Sequence, residues 1–557
     1  MKKRLSKLPH LILALLLCTA VIPFAFAATG CGGSFDLEVF IFSQPSELEL
    51  YEAIVRNFEE IHGVRVRYST AGDDYFMLLD AQLTANIPPD VFYVRPGDVR
   101  MRVNLGQVRE LSGLVPQEEI ESVWPQAIDA FRYDGTTNGV GELWALPKDF
   151  SQYALGFNMV LLNRFRYRIE PYIWTPARGV SFEEWEGGPP LNIYPLVGGR
   201  QDRNNPVRVE TGLKLPGFPG DMINGNQVVF TFDEFGLLAY LLTHTTDGEQ
   251  IFGTQFWEAM CLDSFIWGAG AEWFAQNPDG TLDHTTLATN SERFIEGYEA
   301  YMELIWHWWS AQVGQINDSG FENFQAGNLA FFPVGSWDVA LFNTLPPHRV
   351  NFRLMPWPIS NRYANYSLEN RQNKWFARAD TVGYGISSRS QNYELAAEFI
   401  RFLSTNLNVQ RQLAAGGAQI PNIMEYAQTS FRYDEDRLYG ILHENDRRIL
   451  LQIAETNGRP VPTVFTYTED WRIEFHADAG TRLHTINAGE RETVREFVTR
   501  VTPRAQARLD ASIVLEEEHR LHGSGGPGCM GGGEEPALTV LLLTAFLALG
   551  ALLLFKR

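Results

Sequence analysis

Phe35-Asp36-Leu37-Glu38-Val39-Phe40-Ile41-Phe42 decides the fold. Leu37, Val39 and Ile41 alternate with polar neighbours before a continuous apolar end, the pattern of a strand entering a core. Ser46 and Glu49 follow at capping-box spacing. Tyr51, Ile54, Val55 and Phe58 then recur at i, i+3, i+4 and i+7, the apolar stripe of an amphipathic helix. Val64 to Tyr68 alternates again as a second strand, and helical signal returns from Met77 to Leu83. Pro88-Pro89-Asp90 leads into Val91-Phe92-Tyr93-Val94, a third strand. Strand, helix, strand, helix, strand predicts an α/β sheet with crossover helices.

Outward from this stretch the pattern continues. Thr231 and Glu234 form a capping box before Phe235, Leu238 and Leu242. Thr289 and Glu292 are expected to cap a helix striped by Phe294, Ile295, Tyr298, Tyr301, Met302, Ile305 and Trp309, with Trp306, Trp308 and Trp309 packed within it. Ala396, Phe399, Ile400 and Leu403 line another helix. Residues 166–230 are rich in Pro and Gly without periodicity and read as a long insertion. Residues 431–520 are more charged and read as helical near their end.

The chain has 557 residues, 45% hydrophobic and 20% charged, a globular composition able to bury large cores. At about 150 residues per domain the length suits roughly three to four units. The formal charge is −21, and about −25 without Lys2, Lys3, Arg4 and Lys7. That balance disfavours a nucleic-acid partner, which needs clustered Lys and Arg. It suits neutral or cationic ligands. Cys18, Cys31, Cys261 and Cys529 are widely spaced, and losing Cys18 with a leader leaves an odd number, which makes no disulfide framework.

The two ends place the chain. Residues 1–27 read as a signal peptide, with a basic start, the apolar stretch Leu11 to Leu17 and Ala25-Phe26-Ala27 as cleavage site. Ala28-Thr29-Gly30-Cys31 is a rival, a loose lipobox with Cys31 lipidated. Ala537 to Phe555 is an uncharged apolar run of 19 residues. As a helix it would extend roughly 28 Å, about one bilayer core. A Gly-rich tether, residues 521–536, precedes it, and Lys556-Arg557 follow. Both a membrane-spanning helix and a cleavable surface-sorting signal fit. Either places the body outside the cytoplasm, at the cell surface or in the periplasm.

Seven motifs carry a family resemblance. Asn57-Phe58-Glu59-Glu60-Ile61-His62-Gly63-Val64-Arg65-Val66 is similar to "F-E-x-x-x-G-I-x-V" and Ala85-Asn86-Ile87-Pro88-Pro89-Asp90-Val91 to "A-x-G-x-x-P-D-V". Glu142-Leu143-Trp144-Ala145-Leu146-Pro147 resembles "G-K-x-Y-x-x-P", Leu155-Gly156-Phe157-Asn158 "L-x-Y-N-K", and Thr231-Phe232-Asp233-Glu234-Phe235 "T-W-D-E-L". Phe324-Gln325-Ala326-Gly327-Asn328-Leu329-Ala330-Phe331 with Gly335-Ser336-Trp337 resembles "F-x-x-G-K-A-A-M … G-x-W". Glu394-Leu395-Ala396-Ala397-Glu398-Phe399-Ile400-Arg401-Phe402-Leu403 resembles "x-A-A-x-E-F-I-x-F-L". Each is unspecific alone, but their order over residues 35–421 resembles the extracytoplasmic solute-binding proteins of bacterial ABC importers, maltose-binding-protein-like class (family 1). Departures are Met159 where the family has Lys, the long span between Asn158 and Thr231, and residues 425–520, which have no ordinary counterpart.

The resemblance implies a two-lobed periplasmic-binding-protein-like fold: lobe 1 begins in 28–150, lobe 2 occupies mainly 151–345, and 346–520 returns to lobe 1, the hinge and C-terminal helices. A ligand lies between the lobes and closure buries it, the handling of periplasmic binding proteins. Partners implied are a sugar or oligosaccharide and ABC permease subunits in the membrane, with no cofactor, no metal, no catalytic residue and a monomeric chain. A sugar wants flat aromatics against its C–H faces and Asp, Glu, Asn or Gln at its hydroxyl rim. The chain is 13% aromatic with 14 Trp, a supply that fits. Topology places Ser43 and Gln44, after the first strand, at the cleft. Trp337 stands where the resemblance puts a ligand-stacking ring. Tyr153 lies in a crossing segment, Trp267 in a Gly-rich turn (Ile266-Trp267-Gly268-Ala269-Gly270), Asp74 and Tyr75 after the second strand, and Asp380 in the loop before Gly383. Two alternatives stay open: a membrane-tethered protein that senses or holds glycans without transport, and a carbohydrate-active enzyme. The chain has no Gly-x-Ser-x-Gly elbow, His-Glu-x-x-His or Walker loop to favour the latter.

Overall fold

The computed structural model describes residues 35–43, 47–72, 74–197, 200–210, 212–223, 226–246, 248–256, 258–311, 319–342, 344–417, 419–434, 442–460, 470–483 and 491–523. The expected leader, Cys31, Gln44, the Ser46 half of the first capping box and the apolar run 537–555 lie outside them. Among the described residues no helix is long and apolar enough to cross a membrane.

Two sheets organise the chain, each over its own apolar core. The first has the order Val66–Ala71, Leu37–Phe42, Val91–Val94, Gly383–Ile386, Ala145–Pro147. Leu37–Phe42 runs parallel to both Val66–Ala71 and Val91–Val94, as the crossover pattern requires. Val91–Val94 is buried throughout, which explains its unbroken apolar run. The connecting helices are Leu48–His62, stopped by left-handed Gly63 (φ 67°), and Tyr75–Thr84. Tyr393–Ser404 and Leu407–Ala415 return to the same core, which holds Phe399, Leu403 and Leu413.

The second sheet has the order His244–Thr246, Glu249–Thr254, Leu329–Gly335, Ser151–Asn158, Ala377–Asp380, Gly458–Arg459, and Phe352–Met355 also pairs with Ser151–Asn158. Ser151–Asn158 is buried along its whole length. The Thr231–Glu234 capping box is present in both directions. The second expected box is corrected: Ser291, not Thr289, caps helix Glu292–Trp306, accepting from Phe294 N–H, and the helix ends before Trp308 and Trp309.

Three segments pass between the lobes: residues 147–151, residues 380–383, and Gln419 to Ile423. Asn422 ties the third to the first, its Nδ2 donating to the carbonyls of Pro147 (2.8 Å) and Lys148 (2.9 Å). The insertion folds into short hairpins, Leu191–Ile193 with Val207–Val209 among them, and sends Tyr172, Ile193, Leu196 and Leu215 into the second core. Its Gln201 N–H donates to Thr245 Oγ1, on the edge strand away from the hinge. The C-terminal part is built into lobe 2: it adds the edge strand Gly458–Arg459, and its helices Asp470–Arg482 and Val494–Gly523 pack on each other. Helix Val494–Gly523 also meets Val99–Asn104 of lobe 1 and runs through residues 521–523, expected to be tether. Cys261 is a buried thiol that forms no disulfide among the described residues.

Candidate functional site

The face of the hinge that carries Ser151 and Tyr153 faces the candidate site. Strand alternation puts Ser151 and Tyr153 on this front face and Gln152 on the rear, and the Ser151 hydroxyl draws Asp149 to the front. Tyr153 pairs with Gly335, and Ser151 with Asp380. Gly335 ends its strand and turns through Ser336-Trp337, and the indole folds back over it: a Cβ at Gly335 would lie 2.5 Å from Trp337 Cε2. The indole therefore meets Tyr153 edge to face, centroids 4.8 Å apart at 86°. Arg378 places its guanidinium 5.6 Å from the centre of the Tyr153 ring. Trp337 stays half-buried while Tyr153 is 9% exposed, so the indole is the ring that solvent reaches.

Next to these rings lies a buried charge cluster. Lys148 Nζ is 3.1 Å from Asp149 Oδ2 and 3.4 Å from Glu47 Oε1. Ser151 Oγ donates to Asp149 Oδ1 at 2.6 Å. Burial works against the ammonium, but Asp149 and Glu47 more than offset it and hold Lys148 above its usual range. Tyr51 and Tyr384 lie alongside with hydroxyls 3.4 Å apart, and burial pushes Tyr384 up to about 12. Ser43, at the end of the first strand, is buried. The cluster joins the loop after the first strand to the first crossing segment.

Of the residues expected at the site, the structure brings Tyr153 and Trp337 into contact and sets Ser43 at the lobe 1 end of the hinge. Asp74 is exposed at the start of helix Tyr75–Thr84. Tyr75 is corrected: it is fully buried in the lobe 1 core, its hydroxyl donating to Phe40 O (2.9 Å) and accepting from Tyr93 N–H (2.8 Å). Those two backbone partners draw the ring inward. Trp267 is corrected too. It sits near the end of helix Glu258–Gly268 rather than in a strand-to-loop turn, 2% exposed, its Nε1 donating to Glu272. Asp380 is not in a loop; its backbone ends strand Ala377–Asp380. Lys148, Asp149, Glu47 and Arg378 were missed. The one available signal was Lys148-Asp149, two opposite charges inside the apolar run Ala145 to Phe150.

Asp338, next to Trp337, accepts from Gly335 N–H at 2.9 Å. Burial pushes its carboxyl from the usual 3.8 up to about 7, against the pull of that N–H. A folded chain that holds a proton which the unfolded chain has lost is stabilised at acid pH, and the contribution falls as pH rises through this window. Asp338→Asn is therefore expected to gain melting temperature over the parent at about pH 8 but not at about pH 4. An equal difference at both pH values removes Asp338 as the source.

No family model matches the chain, and no curated protein matches it. Solved structures do share its fold. An ABC substrate-binding protein from Listeria monocytogenes in complex with cycloalternan is 14% identical with a TM-score of 0.56, over 85% of this chain and 98% of that one. The maltose-maltodextrin binding protein of Alicyclobacillus acidocaldarius is 14% identical, TM-score 0.57, over 84% and 99%. The Thermus thermophilus maltotriose binding protein bound with maltotriose is 16% identical, TM-score 0.57, over 85% and 99%. At these identities the likeness shows the fold: two α/β lobes with a hinge.

Proposed function

We propose that this chain, which has the fold of the maltose- and maltodextrin-binding ABC substrate-binding proteins, captures a sugar or oligosaccharide between its lobes and hands it unaltered to an ABC-type permease. The observation that carries the reading is the Trp337–Tyr153 pair on the front of the hinge. A half-buried indole held rigid over a glycine offers a flat apolar face at low entropic cost, which suits the C–H face of a pyranose ring. Ser43 and Asp74 supply polar groups from lobe 1, and Asp380 is kept as a candidate for the hydroxyl rim. The solved structures that share the fold, some of them described with bound oligosaccharides, support the ligand class. The signal-like start and apolar run 537–555 support an extracytoplasmic chain held at the membrane, beside the permease, where tethering raises effective concentration.

A thermal-shift screen over sugars, amino acids, polyamines and metal ions tests the reading. A sugar at about 100 times its dissociation constant is expected to add about 2.7 kcal/mol of stability. If all sugars leave the melting point unmoved while a polyamine raises it, the ligand class is wrong.

A further inference from the structure

The insertion builds one wall of a second cavity, of about 370 Å³, on lobe 2. Leu213 and Lys214 of the insertion line it together with Asp233, in the first turn of helix Phe232–Leu242, and with His307 and Asn361. Its floor is apolar, because the lining side chains of Leu237 and Trp308 are buried. Neither Trp337, Tyr153 nor any crossing segment is among its lining residues, so it is separate from the front of the hinge.

Both signs of charge stand on its walls. Lys214 is held in place, its Nζ donating to the carbonyls of Phe182 (2.8 Å), Trp185 (3.2 Å) and Glu183 (3.3 Å). All three of its N–H groups are spent in this way, but the positive charge remains and attracts an anion. Asp233 carries the opposite charge. It is exposed, and its carboxylate has no hydrogen-bond or ion-pair partner among the described residues. The other lining carboxylate, Glu234, is buried and taken by Arg371 at 2.8 Å. Asn361 accepts the Asp233 N–H through Oδ1 at 2.9 Å, which leaves its Nδ2 to donate. A cation, a carboxylate and an amide donor around an apolar floor complement a molecule that has both charges and an apolar body. An apolar cavity of about 150 Å³ holds benzene, so this one scales to about fifteen heavy atoms, the size of tryptophan.

We propose that this cavity is a second binding site, for a zwitterionic amino acid with a large apolar side chain. The ligand's ammonium meets Asp233, its carboxylate lies toward Lys214 and the Asn361 amide, and its side chain covers the floor of Leu237 and Trp308. Two separated charges select against molecules that carry only one, because a half-matched ligand leaves one wall charge uncompensated. The site is a product of the insertion, which supplies Lys214 and fixes it. It does not rest on the proposed capture of a sugar at the front.

The test uses the full chain and calorimetry with L-tryptophan, with tryptamine, which lacks the carboxylate, and with indole-3-propionate, which lacks the ammonium. L-Tryptophan is expected to bind, and each analogue to bind at least about tenfold more weakly. Asp233→Asn is expected to weaken L-tryptophan about tenfold or more. Ala364→Phe, at another lining position, narrows the cavity and is expected to weaken it by at least as much. Circular dichroism shows that each variant is folded; if Ala364→Phe is not, Asp233→Asn decides alone. No binding of L-tryptophan overturns the site. Equal binding of either analogue overturns it too, as does binding that survives Asp233→Asn, which places the amino acid elsewhere. L-Tryptophan binding in a chain that takes no sugar upholds this site while the front reading fails, and a sugar bound by a chain that takes no L-tryptophan does the reverse.

Discussion

Lys148→Met is expected to lower the unfolding free energy by about 3–5 kcal/mol. Lys148 is 6% exposed, Glu47 4% and Asp149 1%, so neither carboxylate can turn to water when the ammonium is gone. Asp149 keeps the Ser151 hydroxyl at 2.6 Å, a neutral donor that does not replace a charge. The sign of the pH effect follows. With the ammonium removed, burial penalises the charged form of the cluster, so the folded variant takes up protons more readily than its unfolded chain. Its deficit should therefore be largest near neutral pH and shrink toward about pH 5. Urea unfolding of parent and variant at the two pH values measures this. A loss below about 1 kcal/mol, or one that ignores pH, would show that the cluster is more hydrated than its burial indicates. The same cluster joins the loop after the first strand to the first crossing segment, so the variant also loosens the place where the lobes turn.

That cluster marks the limit of the sequence reading. The repeating order of strand and helix between Leu37 and Val94 is a local property, set by side-chain period, and the structure has it. The Thr231 box is equally local, because the four residues from Thr231 to Glu234 contain both of its hydrogen bonds. Tyr75 looked like part of a polar turn because Asp73 and Asp74 precede it. What sets its place is Phe40 and Tyr93, which no window around Tyr75 contains. Trp267 was misread for another reason. Helix Glu258–Gly268 is buried from Cys261 to Gly268, so it has no polar face to betray a helical period, and the glycines at its end resemble a turn. Glu47 and Lys148 lie far apart in the chain, and nothing short of the fold brings them within 3.4 Å. The pairing of Tyr153 with Trp337 is long-range as well. It was half legible: each ring was a candidate through its motif, but their contact depends on the register of Tyr153 against Gly335.

Trp337→Ala is expected to weaken binding of the sugar identified by the thermal-shift screen by about 1–3 kcal/mol, roughly 5- to 150-fold in dissociation constant. The indole is half-buried and lies over Gly335, so truncation removes a flat apolar surface without leaving an unmet buried polar group. Its edge also holds Tyr153 at 4.8 Å, and part of the loss should therefore come through Tyr153. Tyr153→Leu in the Trp337→Ala background should then cost less than Tyr153→Leu alone, a coupling that a double-mutant cycle resolves. Trp267→Phe is the contrasting variant. Its ring is buried in a lobe 2 helix and its Nε1 is taken by Glu272, so affinity should stay at the parent value while stability falls. The two outcomes separate a ring that meets the ligand from one that fills the lobe. Unchanged affinity in Trp337→Ala would take the indole out of the site, and with it the observation on which sugar capture rests.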